Sequence, residues 1–278
     1  MTQKQERNRQ PKRNRILLRL GYFSVIILAL ILFSFAVGIW SASNQILFPV
    51  WKGISKNFKE CSQEGEKVWG KSCGNIRITK QFHFHEVSFL SLNGYDLSCH
   101  GEAPCMVPGL SFGNRESRDV LSAYLYLFNK YKNILIVGSS VGASSVLIAL
   151  PFLRDAKGLI LENPMFSFER LILDSPESAS LPNWAVQSLI GLVTTRGKFD
   201  LLLSPENSLR LSSSVPLFFI HSKKDSVVSY QHSESLSKLY PGMSEVWFPD
   251  SGSHGFIWDE NRTEYEIRVR NFIRKNIK

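Results

Sequence analysis

The sequence is poor in cysteine and lacks the spacing that structural zinc sites use. Its 278 residues include four cysteines, and no two of them form a C-x-x-C pair, which argues against a zinc site. If this region faces an oxidising compartment, the local pairs Cys61–Cys73 and Cys99–Cys105 can form disulfides, although four cysteines allow three pairings. Internal repeats and low-complexity tracts are also absent. With 44% hydrophobic and 21% charged residues, the composition is typical of a globular protein.

Beyond the first 19 residues, the sequence also lacks the excess of basic charge found in proteins that bind nucleic acids. The net charge is +9, but residues 1–19 account for +6 of it and all the remaining residues for only +3. The body of the protein is therefore nearly neutral. It gives no electrostatic reason to expect DNA or RNA as a partner.

An uncharged segment follows this basic tail. Residues 20–40 contain no charged side chain, and as a helix they measure about 31 Å, which matches the roughly 30 Å hydrocarbon core of a bilayer. We predict an uncleaved transmembrane helix, with residues 1–19 in the cytoplasm and the rest of the chain outside it, by the positive-inside rule. The alternative is a signal peptide cleaved near Ala36-Val37-Gly38, but its apolar region is longer than the ~7–15 residues typical of such peptides.

The rest of the chain is predicted to be a stalk and a folded domain. Residues 41–78 show no clear hydrophobic period and are assigned to a juxtamembrane stalk. In residues 79–278, a hairpin is predicted around Asn93-Gly94, and short apolar runs then alternate with helical segments. Strands are predicted at 133–137, 158–162, 215–221 and 244–249, and helices at 114–131, 146–153 and 262–277. This alternation predicts an α/β fold with a mostly parallel sheet.

The first of these strands runs directly into a G-x-S-x-G motif. Gly138-Ser-Ser140-Val-Gly142 stands between the strand and a helical run. Such a sharp turn lifts the central serine above the sheet, and we expect only glycine to fit on either side of it. The N–H of Val141, at the start of the helix, can donate to an oxyanion. Ser140 is therefore the predicted nucleophile. The turn lacks the G-x-G-x-x-G and G-x-x-x-x-G-K patterns of nucleotide-binding loops.

A serine nucleophile needs a base, and the base needs an acid that orients it. Asp225 follows the third predicted strand, and His254 lies in a glycine-flanked loop after the fourth. The carboxyl ends of parallel strands meet at one edge of the sheet, so the order Ser…Asp…His can bring these groups together. Asp250 and Asp259 remain alternatives as the orienting acid. The other histidines are expected mostly at the surface or in turns: His83, His85, His100, His221 and His232.

Residues 85–278 resemble the α/β-hydrolase family, and in particular its membrane-anchored serine hydrolases similar to the serine aminopeptidase/monoacylglycerol-lipase group. The resemblance is carried by the opening hairpin (86–97), the segment before the helix that precedes the nucleophile strand (111–119), the G-x-S-x-G turn (138–142), the acid loop (220–225) and the histidine loop (252–254). It implies hydrolysis of an ester, thioester or amide through an acyl-enzyme without a cofactor, and a cap over the pocket at about 163–212. An anchored domain would also suit a small or lipid-like acyl substrate.

One segment departs from the pattern of that family. Between the hairpin and the helix before Ser140, the family has two strand–helix units, the first of which supplies a second oxyanion donor. Here only Ser98 to Phe112 is available, which is too short for even one crossover of about a dozen residues and its strand. We therefore expect the sheet to lack part of the usual central strands. The alternative function is a catalytically impaired, hydrolase-like domain that acts as an anchored binding module, or an internally deleted family member.

Overall fold

The computed structural model describes residues 3–48, 109–212 and 214–277, with the side chains of the first helix described from Arg19 onwards. Most of the predicted stalk, the predicted hairpin, all four cysteines and residues 98–108 of the short segment that ends at Phe112 lie outside the described residues. The expectations that concern them stay predictions.

The described residues alternate between helices and strands, as the sequence predicts. In chain order they are α1 (Gln3–Leu47), α2 (Glu116–Phe128), β1 (Leu135–Ser139), α3 (Val141–Ala149), a 3-10 turn (Leu150–Phe152), β2 (Gly158–Glu162), α4 (Phe168–Leu173), α5 (Pro176–Ala179), α6 (Asn183–Gly197), α7 (Pro205–Leu209), β3 (Leu217–Ile220), α8 (Gln231–Leu239), β4 (Ser244–Trp247) and α9 (Ile257–Asn276). The main shifts are in α3 and α9, each of which begins five residues earlier than predicted. The strands β1 and β3 begin two residues later than predicted, and β1 includes the first glycine of the G-x-S-x-G motif.

Four parallel strands form the sheet of the described residues, in the order β1-β2-β3-β4. Ser139 pairs with Glu162, which pairs with Ile220, which in turn pairs with Trp247. The carboxyl ends of all four strands therefore lie in register along one edge of the sheet. This edge is where an open α/β sheet collects its functional side chains.

Helices cover both faces of the sheet. On one face Leu159 and Leu161 of β2 pack in the same buried cluster as Leu147 of α3. On the other face Ile160 packs with Phe272 of α9. Burial on both faces explains why β2 is an uninterrupted apolar run and does not alternate with polar residues.

The helix α1 is longer than the predicted span, because it continues to Leu47 through the first residues of the predicted stalk. Its segment Arg19–Leu47 is long and apolar enough to cross a membrane, a criterion of length and composition that a signal sequence also meets. Leu47 itself is fully buried, in a cluster with α4 and α6. The end of α1 is thus part of the core beneath residues 163–212, the predicted cap, which contains α4, α5, α6 and α7.

Candidate active site

The predicted nucleophile lies in a one-residue turn between β1 and α3. Ser140 has φ 53° and ψ −119°, in a region that costs a residue other than glycine about 1–3 kcal/mol. Two backbone hydrogen bonds hold it there: the Ser140 N–H donates to the Glu162 carbonyl at 2.8 Å, and the Ser144 N–H donates to the Ser140 carbonyl at 3.0 Å. The turn is therefore fixed to both β2 and α3.

The two glycines that flank this turn differ in their surroundings. A Cβ atom at Gly138 would lie 2.8 Å from backbone atoms of Gly142 and Ala143, so only glycine fits there. A Cβ atom at Gly142 would meet nothing within 4 Å. The expectation that glycine is sterically required on both sides of Ser140 is therefore wrong for Gly142, because α3 leads away from β1 at that point.

The three predicted side chains form a hydrogen-bonded row. His254 places Nε2 2.9 Å from Ser140 Oγ and Nδ1 2.7 Å from Asp225 Oδ2. The Asp225 side chain is fully buried, and that of His254 is 19% exposed. Asp250, an alternative acid, is paired with Lys223 at 2.8 Å, and its side chain is 86% exposed. The imidazole contact thus involves Asp225, and Asp259 lies instead in the first turn of α9.

The carboxylate of Asp225 is held by several donors. Its Oδ1 accepts hydrogen bonds from the N–H groups of Val227 (2.8 Å) and Val228 (2.9 Å), while Oδ2 contacts both His254 and His221. Burial alone raises the pKa of this carboxyl. Hydrogen bonds from His221, His254 and the Val228 N–H more than offset that effect and hold the pKa of Asp225 well below its usual range. Asp225 is therefore an ionised, oriented acceptor.

His221 corrects one of our expectations. It directly follows β3 and is fully buried, whereas the sequence predicted a surface or turn position. Its Nε2 lies 2.8 Å from the Val228 carbonyl and 3.3 Å from Asp225 Oδ2, and its Nδ1 lies 2.7 Å from Ser233 Oγ. Since a carbonyl only accepts, Nε2 carries the ring proton, which also faces the Asp225 carboxylate. The signal available in the sequence was its place at the end of a wholly apolar strand.

His232, also buried, does not follow the expectation either. Its Nδ1 accepts a hydrogen bond from the Phe166 N–H at 2.9 Å, and its Nε2 lies 3.3 Å from Asp174. Burial, together with the nearby Arg170, lowers the pKa of His232 to about 4. This histidine joins α8 to the start of the predicted cap. The three remaining histidines lie outside the described residues.

Two groups close to Ser140 in the chain or across the sheet are candidates for hydrogen bonding in the site. Val141 is the first residue of α3, where N–H groups have no acceptor within the helix. Asn163 lies one residue beyond β2, with φ 49°. Its side-chain amide is buried without a hydrogen-bond partner in the described structure. Sequence reasoning did not single out Asn163. Residues 98–108, from the short segment that stands where the family has its second oxyanion donor, lie outside the described residues.

A small cleft lies between the predicted cap and the segment that leads into α2. Among the residues that line it are Phe112, Met165, Phe168, Phe199 and Leu201. None of the three residues of the hydrogen-bonded row lines this cleft. That the cap encloses a substrate pocket over Ser140 stays a prediction. Among the described residues no group of three or more histidine, cysteine and acidic side chains is arranged to hold a metal ion.

Comparison with solved structures identifies the architecture. The chain is similar to the esterase Pf2001 of Pyrococcus furiosus in two of its crystal forms, with TM-scores of 0.52 and 0.50 at 18% and 19% identity, over 66% of this chain and 70% of that one. It is also similar to Est1E of Butyrivibrio proteoclasticus with bound ferulic acid, with a TM-score of 0.47 at 19% identity, over 66% of this chain and 75% of that one. No protein-family model and no curated protein matches the sequence. The chain has the α/β-hydrolase fold, with a parallel sheet and an N-terminal helix long and apolar enough to span a membrane.

Proposed function

We propose that the chain is a serine hydrolase that cleaves an ester, thioester or amide through an acyl-enzyme. The observation that carries this proposal is the row Ser140, His254 and Asp225, with contacts of 2.9 Å and 2.7 Å. A hydroxyl, an imidazole and a buried ionised carboxylate in this order are the parts that nucleophilic acyl transfer needs.

In the acylation step, the Oγ of Ser140 forms a bond to the acyl carbon while its proton passes to Nε2 of His254. The tetrahedral oxyanion that results accepts a hydrogen bond from the Val141 N–H, and such donors contribute about 10²–10³ in turnover in other enzymes. The bond to the leaving group then breaks as His254 returns the proton to it. Water hydrolyses the acyl-enzyme by the same sequence, with His254 again as base.

Asp225 acts through the imidazole and does not take the proton. Its low pKa keeps it ionised while His254 is transiently charged, so the pair stabilises the charge that develops during the reaction. The bond from Nδ1 to Asp225 also fixes the tautomer in which Nε2 is free to accept the serine proton.

The apolar part of α1 supports a membrane-anchored form of this enzyme. We propose that α1 spans a bilayer once, with the basic residues 1–19 in the cytoplasm and the folded domain on the other side. This arrangement would keep the site close to a membrane surface and would suit small or lipid-like acyl substrates.

A fluorophosphonate probe tests the proposal, because it reacts covalently with an activated serine. We expect the full-length protein to be labelled, Ser140→Ala to lose labelling, and Ser139→Ala to keep it as the matched control from the neighbouring position. Equal labelling of wild type and Ser140→Ala contradicts the proposal. Absence of labelling in a protein that circular dichroism shows to be folded favours the alternative, an inactive binding module.

A further inference from the structure

The helix α1 meets the rest of the protein through one face of its final turns. The side chains from Leu20 to Ser34 are exposed, whereas less exposed positions begin at Phe35 and recur with helical spacing to Leu47. These positions are Phe35, Ile39, Ala42, Ser43, Asn44, Ile46 and Leu47. The contacting face therefore lies within the apolar segment itself and extends into the proposed membrane span.

The partner of this face is α6 of the predicted cap, and the two helices run in the same direction. Near the start of α6, the rings of Phe35 and Trp184 lie 4.7 Å apart. At its end, a Cβ atom added to Gly197 would lie 3.0 Å from the Leu47 side chain. The helices thus stay together along about 18 Å of α1, at ~1.5 Å per residue. The start of α6 is therefore the end of that helix that lies nearer the proposed membrane span.

Arg196 of α6 forms a polar contact with α1 between the Phe35–Trp184 pair and Leu47. The guanidinium of Arg196 lies 3.8 Å from the centre of the Trp40 ring, donates to Asn44 Oδ1 at 2.6 Å and also donates to the Ser43 hydroxyl. Ser43 lies about 34 Å beyond Leu20 along the helix axis, at ~1.5 Å per residue, which is past a hydrocarbon core of roughly 30 Å. In the proposed span, counted from Leu20, this depth places Arg196 at the level of the headgroups.

Trp184 lies on the other side of that boundary. Phe35, which it contacts, is about 22 Å along the axis from Leu20, at ~1.5 Å per residue, and so falls within the last 8 Å or so of the hydrocarbon core. Trp184 is 60% exposed and its neighbour Leu181 is 48% exposed. Glu177, in the preceding helix α5, is also exposed and limits how deep this tip can lie.

We propose that the tip of the cap, defined here as Leu181 and Trp184, lies at the outer edge of the hydrocarbon core, next to the interface, in the leaflet that adjoins the folded domain. Its partner is the lipid of the same bilayer that α1 spans, so this inference rests on the proposed membrane anchor. Tryptophan is enriched at this depth because its ring is apolar and its N–H remains close to water. The cap would therefore face lipid directly, and the anchor would hold it in a fixed orientation.

Quenching by brominated lipid tests this placement. The full-length protein is reconstituted into phosphatidylcholine vesicles with and without acyl-chain-brominated phosphatidylcholine, and tryptophan emission is compared among wild type, Trp184→Phe and Trp258→Phe. Phenylalanine keeps an aromatic ring against Phe35. Trp258, 38% exposed on α9, is the matched control because α9 packs against the sheet. We expect the fraction of emission that bromolipid quenches to fall in Trp184→Phe and to remain at the wild-type value, or rise, in Trp258→Phe.

The inference is overturned if Trp184→Phe and wild type lose the same fraction, or if the protein is released from the vesicles by alkaline carbonate. Fluorophosphonate labelling in the same vesicles reads the proposed function separately. If the protein is labelled but Trp184 contributes nothing to the quenching, this inference is wrong and the proposed activity stands. If bromolipid quenches Trp184 but the protein fails to react with the fluorophosphonate, this inference stands and the proposed activity is wrong.

Discussion

Substitution of His221 by glutamine tests whether a buried histidine outside the proposed triad positions Asp225. The substitution removes the ring nitrogen that lies 3.3 Å from Asp225 Oδ2 and 2.8 Å from the Val228 carbonyl. Hydrogen bonds to charged groups contribute about 1.5–3 kcal/mol, and about 1.4 kcal/mol corresponds to a factor of ten in rate. Since 3.3 Å is a long contact, we expect the lower end, a loss of about tenfold in the rate of fluorophosphonate labelling.

His232→Gln is the matched control for this experiment. It also replaces a buried, hydrogen-bonded histidine, but its ring contacts Phe166 and Asp174 and not Asp225. Labelling rates are measured at a temperature where unfolding curves show both variants to be folded. We expect the rate to fall in His221→Gln only. Equal rates in the two variants would falsify the positioning role and leave His221 as a packing residue.

Three further predictions concern stability and labelling. Burial holds the pKa of His232 at about 4, below its ordinary value of 6.5, so between these pH values the unfolded chain binds a proton that the folded chain does not. The free energy of unfolding from urea titrations should therefore fall as the pH is lowered from 6.5 to 4, by up to about 3 kcal/mol, and a slope unchanged in His232→Gln would contradict this. Gly138→Ala should prevent fluorophosphonate labelling, because its Cβ atom would clash with backbone atoms. Gly142→Ala, in a helix with open space around that position, should keep the wild-type melting temperature or raise it. An equal loss of labelling and of melting temperature in the two variants would argue against the geometry of the turn. Leu47→Ala should destabilise the predicted cap by about 2–5 kcal/mol, measured by thermal unfolding in detergent. Val37→Ala, at a position 51% exposed, should leave the melting temperature close to that of the wild type. Similar melting temperatures for the two variants would show that α1 does not pack on the predicted cap.

The row of three side chains could be predicted because each lies in a local pattern with a fixed place in the fold. A glycine-flanked serine after an apolar strand, an acid after the third strand and a histidine after the fourth are all visible in the sequence. The parallel sheet places them at one edge because the ends of its strands are in register. No knowledge of distant packing was needed for Ser140, Asp225 and His254.

The features that escaped prediction depend on contacts between distant segments. His221 appears as one histidine among six until the packing of β3 and α8 shows it to be buried against Asp225. The docking face of α1 is equally hidden, because a helix that is apolar on all sides shows no amphipathic period. Ser43 and Asn44, which contact Arg196, are two of several polar residues near its end, and nothing in the sequence distinguishes them from Ser41 and Gln45.

The proposed nucleophile is tested most directly by the mass-spectrometric position of the fluorophosphonate adduct. Trypsin releases residues 133–154 as one peptide, which contains Ser139, Ser140, Ser144 and Ser145. Fragmentation of that peptide assigns the adduct to a single side chain. We predict one phosphonyl group per chain, on Ser140. An adduct on any other residue, with Ser140 unmodified, would contradict the proposed mechanism.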